Sequence, residues 1–176
     1  MREKFSNCGP SRFLKSFIYA FKGAFYAVKT QRNMRVHICF TAFMFFFLLR
    51  YDFWVLSKVQ YALLAVTCAA VFMAECINTA VETVVDLVSP GFNKLAGIAK
   101  DTACAGVLFI AVGAVVEGII FLWQPQAFSK LFAYYSSHIG ECVAVCAAIV
   151  LAVVFVFYTD VFKKLLNKRK LAGEKK

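Results

Sequence analysis

Residues 59–87 read VQYALLAVTCAAVFMAECINTAVETVVDL, an apolar run whose second half carries two glutamates, an asparagine and an aspartate. The run is longer than the roughly 20 residues that a helix needs to cross the hydrocarbon core of a bilayer. It stops at Ser89-Pro90-Gly91, where proline and glycine interrupt a helix, and a loop is expected over 90–100. The stretch therefore predicts a membrane-spanning helix with one polar end.

Three further apolar runs, at 36–56, 101–123 and 139–158, are also long enough to span. Hydrophobic residues make up 61% of the 176 residues, and the mean hydropathy is +0.70. A soluble domain is usually nearer half apolar, and its core would not hold the 20 phenylalanines of this chain. We predict an all-α integral membrane helical bundle with four spans.

Residues 11–31 precede the first span and have apolar side chains at helical spacing on one face, with Lys15, Lys22 and Lys29 on the other. This pattern predicts an amphipathic helix in the headgroup plane, although packing against neighbouring helices would satisfy the same apolar stripe. We expect three regions: an amphipathic surface helix region at 1–35, a three-span core at 36–123, and an extra loop around Pro125, a fourth span and a basic tail at 124–176.

The basic residues indicate how the chain is oriented. Segments 1–35, 86–101 and 159–176 hold 17 of the 20 lysines and arginines. The positive-inside rule places these segments, and so both termini, in the cytoplasm. We therefore expect a multi-pass protein of the bacterial plasma membrane. The same distribution accounts for the net charge of +10 through anionic lipid headgroups, so no nucleic-acid partner is expected.

One face of the second span is polar. At 3.6 residues per turn, a sector of roughly 80° contains Glu75, Asn78, Glu82 and Asp86. Hydrogen bonding between helices would explain an amide or a hydroxyl there, but three carboxylates in a membrane span favour a functional role. Lys100 starts the third span beside this stripe, where it would either bind phosphate as a point charge or anchor the helix at the interface.

Carboxylates and a lysine at a membrane surface suit phosphoryl transfer. The acids hold a divalent cation, one acid accepts a hydroxyl proton, and the cation and the lysine neutralise the phosphates. The same residues suit proton or cation transport, but transport predicts acids that continue across the membrane. This stripe stops at the predicted cytoplasmic side.

The run ECINTAVETVVD at 75–86, followed by Ala99-Lys100-Asp101, closely resembles the prokaryotic diacylglycerol kinase and undecaprenol kinase family. Segment 32–37, RNMRVH, resembles especially the undecaprenol kinase branch. The resemblance covers roughly residues 11–123. It implies a homotrimeric lipid kinase with three-span subunits and active sites between subunits, with ATP as co-substrate and magnesium as cofactor.

The resemblance also implies roles for individual residues. Glu75 matches the proposed general base on the lipid hydroxyl, Asn78 and Arg35 match polar residues of the site, and Glu82 matches a magnesium ligand. The nucleotide-binding residues implied by the resemblance are Arg12, Glu82, Asp86, Lys100 and Asp101.

Gln31 departs from the family, which usually has a glutamate there as a second metal ligand. An amide oxygen ligates magnesium without adding charge, so we expect either an enzyme that needs more magnesium or a non-catalytic homologue. The resemblance of segment 32–37 predicts undecaprenol in the inner leaflet as the lipid substrate, with diacylglycerol as the alternative substrate. A small ion transporter is a third possible function, after the kinase and the non-catalytic homologue. The fourth span has no counterpart in the minimal family, and Glu117 and Glu141 are expected near the outer interface.

Overall fold

The computed structural model describes the backbone of residues 10–173 and the side chains of residues 13–158. This part of the chain contains no strand and forms six helices: α1 Pro10–Thr30, α2 Arg32–Arg50, α3 Lys58–Val88, α4 Lys94–Leu122, α5 Pro125–Ser137 and α6 Ile139–Gly173. Four helices are long and apolar enough to cross a membrane, namely α2, α3, α4 and the Ile139–Tyr158 part of α6. The predicted all-α membrane bundle is confirmed.

The bundle is built around α3, which packs along α4 and also contacts α1 and α2, while α6 packs on α2 and α5. Little of α4 or α6 is buried within the chain, as expected for apolar helices that face lipid. The bundle has an α1 end, where α2 begins and α3 stops, and an α5 end, where α2 stops and α3 begins. Apolar side chains of α1 are exposed, among them Phe13, Phe17, Phe21 and Phe25, which suits an interfacial helix.

Two segments predicted as loops are largely helical. Asn93 caps α4, since its Oδ1 accepts hydrogen bonds from the backbone N–H groups of Leu95 and Ala96. The prediction of a loop over 90–100 is therefore wrong for residues 94–100, which belong to α4. Pro125, expected in a loop, instead lies in the first turn of α5, a position where the missing N–H of proline costs nothing.

The first span ends before its predicted boundary, whereas the fourth has the bounds that the sequence predicts. The first was expected to span 36–56, but Tyr51 is already extended and buried. Its ring stacks on Phe53 at a centroid distance of 5.1 Å and meets Tyr134 edge-on at 5.2 Å, so aromatic packing replaces a further helical turn. The fourth span was expected over 139–158, and the Ile139–Tyr158 part of α6 is long and apolar enough to cross a membrane. The helix itself continues to Gly173 through the basic residues that follow, which are good helix formers.

Candidate active site

The polar stripe of α3 faces the neighbouring helices at the α1 end. Glu75 and Asn78 are buried, and Glu82 and Asp86 follow in turn toward the end of the helix. The stripe extends over about 16 Å at 1.5 Å per residue. Its deep end is therefore inside the bundle and its other end is at the surface.

Glu75 has only 1% of its surface exposed. Its Oε1 lies 3.6 Å from Nε2 of His37 on α2, beyond hydrogen-bond distance, and has no hydrogen-bond partner among the described residues. A buried carboxylate oxygen without a partner is costly, so this atom is suited to accept a proton from a bound group. Sequence reasoning missed His37 as the neighbour of Glu75, although a histidine inside an apolar span is a recognisable signal.

A cavity of about 500 Å³ lies between α2, α3 and α4 and is lined mostly by apolar side chains. His37 is in its wall, and the Nε2 of His37 lies 3.6 Å from Oε1 of Glu75, so the cavity and the Glu75 carboxylate share His37 as a neighbour. Glu117 and Trp123 line it toward the α5 end. Its size lies in the range of small-molecule pockets, and its lining suits an apolar chain.

Two amides hold Glu82. Gln31 Nε2 donates a hydrogen bond to Glu82 Oε2 at 2.6 Å, and Asn78 Nδ2 donates to Glu82 Oε1 at 3.1 Å. Gln31 reaches α3 because it is the single residue between α1 and α2 and has an extended backbone. The structure thus brings together three of the residues that the sequence analysis assigned to the site.

Magnesium commonly binds one or two protein carboxylates and completes its octahedral shell with water and substrate phosphates. Glu82 offers one carboxylate, and the buried Oδ1 of Asn78 has no hydrogen-bond partner within the described part of the chain. That part contains no group of three His, Cys, Asp or Glu side chains placed to hold a metal. These donors would suit a magnesium ion only if water and phosphate oxygens completed its shell, and rotation of the Gln31 amide would present its oxygen instead of its N–H.

Asp86 and Lys100 form an ion pair across the α3–α4 connection, with Oδ1 and Nζ 2.5 Å apart. The two side chains are 67% and 36% exposed, and such surface pairs contribute about 0–1 kcal/mol. A phosphate at this position would compete with Asp86 for the ammonium group of Lys100. Asp101 is exposed at the same end of α4.

The two arginines assigned to the site differ in what the structure shows of them. Arg12 belongs to α1, but its side chain lies outside the described residues. Arg35 is buried and donates hydrogen bonds to backbone carbonyl oxygens of Val28, Lys29 and Val156. Among the described side chains it forms no ion pair with the stripe, so the structure does not bring Arg35 to the carboxylates.

The model of the prokaryotic diacylglycerol kinase family matches residues 18–122, which include α2, α3, α4 and most of α1. The chain belongs to this family. A diacylglycerol kinase of Synechocystis sp. is 42% identical over 113 residues, which are 64% of this chain and 63% of that protein. An undecaprenol kinase of Bacillus subtilis is 30% identical over 115 residues, which are 64% of this chain and 89% of that protein. No solved structure matches the chain.

The prokaryotic diacylglycerol kinase family consists of lipid kinases, so the resemblance inferred from residues 75–86 is confirmed. The chain spans less than two thirds of the length of the Synechocystis relative. The match to the family ends at 122, so α5 and α6 lie outside it.

Proposed function

We propose that this chain transfers the γ-phosphoryl group of ATP to the hydroxyl group of a membrane lipid. The observation that carries the proposal is the buried Glu75 carboxylate, whose Oε1 has no hydrogen-bond partner among the described residues and lies 3.6 Å from Nε2 of His37, a residue in the wall of an apolar cavity. Glu82 lies about 10 Å further along the same helix face. This spacing separates a lipid end of the site from a nucleotide end.

In the proposed reaction Glu75 accepts the hydroxyl proton as the lipid oxygen bonds to the γ-phosphorus. The bond from that phosphorus to the β–γ bridging oxygen breaks, ADP leaves, and Glu75 returns the proton to water. Glu82 would hold a magnesium ion, which would supply charge neutralisation for the phosphates. Asn78 keeps the Glu82 carboxylate in place, and Lys100 adds positive charge at the nucleotide end when it leaves Asp86.

Two lipid alcohols are candidates for the substrate. Segment 32–37 favours undecaprenol, and the B. subtilis relative is named for that activity. The higher identity to the Synechocystis diacylglycerol kinase favours diacylglycerol. We propose undecaprenol as the first substrate, with diacylglycerol as the second, and assembly as a homotrimer with its basic side in the cytoplasm.

A non-catalytic membrane protein is the second candidate function. It is favoured by the hydrogen bonds that occupy both oxygens of Glu82, because a carboxylate satisfied by two amides has less need of a cation. In a non-catalytic protein, Gln31 would stand where the family usually has a glutamate that binds metal, and it would instead hold Glu82 by a permanent hydrogen bond.

An ATP consumption assay on purified protein in lipid nanodiscs distinguishes the two candidates. We expect consumption that depends on added undecaprenol or diacylglycerol, that is lost in Glu75→Gln, and that is kept in Asp52→Asn. Asp52 is an exposed acid at the α5 end, so the control removes a carboxylate away from the site. Absence of lipid-dependent consumption at every magnesium concentration would contradict the kinase proposal and favour the non-catalytic one.

A further inference from the structure

The fourth span is attached to α2 by polar contacts at both of its ends. At the α1 end, Arg35 Nε donates to the carbonyl oxygen of Val156 at 3.0 Å. At the α5 end, the Tyr51 hydroxyl donates to Glu141 Oε2 at 3.2 Å and shares a 2.7 Å hydrogen bond with Tyr135. Arg35 and Tyr51 are separated by about 24 Å of helical rise and Glu141 and Val156 by about 23 Å. The two antiparallel helices are therefore in register along the span.

These contacts carry much of the attachment, because α6 is otherwise an apolar helix that faces lipid. Apolar surface gives no strong preference for a helix neighbour over lipid, so hydrogen bonds and close packing decide association within a bilayer. Glu141, which the sequence left unexplained, also accepts a hydrogen bond from the Tyr134 hydroxyl at 3.0 Å. The anchors thus determine where α6 lies along α2.

The anchor at the α1 end also holds the corner between α1 and α2. Arg35 is 1% exposed, and its Nη1 donates to the carbonyl oxygens of Val28 at 3.0 Å and Lys29 at 3.4 Å. Carbonyls in the last turn of a helix lack intrahelical partners, and a cation there is favourable. Arg32, in the first turn of α2, lies 6.0 Å from the ring centroid of Phe157 on α6. Arg35 therefore joins three helices around the corner.

Gln31 is the residue at this corner, and its amide is the group that reaches Glu82. We propose that Arg35 is a positioning residue and that α6 acts through it as a brace, holding Gln31 against Glu82. This inference rests on the proposed function, in which Glu82 belongs to the magnesium and nucleotide end. It gives the fourth span, which lies outside the match to the family, a role in the reaction.

The test displaces α6 from Arg35 in the full-length protein. Val156 is buried at 8% exposure, and Val156→Trp would push its carbonyl oxygen away from the guanidinium. Val154→Trp is the matched control, because Val154 is 55% exposed on the same helix. We expect Val156→Trp to raise the magnesium concentration for half-maximal activity about fivefold, of the order expected for one lost hydrogen bond, with turnover at saturating magnesium within about twofold of wild type.

A double-mutant cycle shows whether the effect passes through Arg35. Arg35→Lys keeps the charge but loses the planar guanidinium group that donates to several carbonyl oxygens at once. This substitution alone should therefore raise the magnesium concentration for half-maximal activity. If α6 acts through Arg35, adding Val156→Trp to Arg35→Lys should raise it no further. Fully additive effects, a shift equal to that of Val154→Trp, or loss of turnover without a magnesium shift would each overturn the brace.

Limited trypsin digestion reads the same corner without relying on activity. Val156→Trp should be cut faster than wild type after Lys29 or Arg32, whereas Val154→Trp should be cut at the wild-type rate. Unchanged cleavage would overturn the brace even if the kinase assay succeeds, and faster cleavage would support it even if the wild type has no kinase activity. If Val156→Trp does not fold, Glu141→Gln loosens the other anchor of α6 and carries the same expectations.

Discussion

Replacing Gln31 by glutamate changes one amide nitrogen to an oxygen at the contact with Glu82. The present contact is a 2.6 Å hydrogen bond from Gln31 Nε2 to Glu82 Oε2. In Gln31→Glu two carboxylates would share this contact. Two unit charges about 4 Å apart interact by about 4 kcal/mol at an effective dielectric constant near 20. The metal-free variant is therefore destabilised, and a cation between the two carboxylates relieves the repulsion.

Only part of this energy should be realised, because Gln31 is half-buried and salt screens the charges. If about a third is recovered on metal binding, the affinity for magnesium rises about tenfold, since 1.4 kcal/mol corresponds to a factor of ten. We therefore expect Gln31→Glu to lower the magnesium concentration for half-maximal activity about tenfold and to leave lipid preference unchanged. In EDTA the variant should have a lower melting temperature than wild type, and added magnesium should raise that melting temperature back to the wild-type value.

Activity as a function of magnesium concentration and thermal unfolding with and without magnesium provide the two measurements. Asn33→Glu is the matched control, because it adds the same charge at an exposed neighbouring position. An active wild type whose magnesium requirement is unchanged in Gln31→Glu would refute the assignment of position 31 as a metal ligand. A wild type inactive at every magnesium concentration, with no activity restored by the substitution, would refute the kinase proposal as a whole.

Glu75→Gln keeps the side-chain size but removes the proton acceptor, so turnover should fall by about two to four orders of magnitude while ATP binding, measured by calorimetry, changes little; near-normal turnover would exclude Glu75 as the base. The basic segment 163–176 should be cytoplasmic, so a single cysteine placed there in a cysteine-free variant should resist impermeant thiol reagents in intact cells and react after lysis. Burial, with hydrogen bonds to Tyr135 and Glu141, raises the pKa of Tyr51 above its ordinary value. Its contribution to stability is therefore complete below about pH 10 and declines as pH rises toward the folded-state pKa, so melting temperature should drop less from about pH 9 to 11 in Tyr51→Phe than in wild type.

The α5 end shows why helix boundaries were harder to predict than helices. The apolar residues of 36–56 run on past the point where α2 stops, and composition alone did not distinguish a helical turn from an aromatic cluster. The end of α2 depends on Tyr51, whose ring packs against Tyr134 from a helix far along the chain. Trp54 adds a 3.0 Å hydrogen bond from Nε1 to the Leu122 carbonyl oxygen. These contacts become visible only when the helices are assembled.

The four spans, the polar face of α3 and the family could all be predicted from the amino-acid sequence. Span length depends on bilayer thickness, and the face shared by Glu75 and Glu82 depends only on the helical repeat, so both are properties of one segment. The partners of those side chains depend on how the helices pack together. Gln31 reaches Glu82 across 51 residues of chain, and Arg35 reaches the carbonyl of Val156 across 121. Such contacts depend on how helices are rotated and stacked against one another, which no local pattern of residue types specifies.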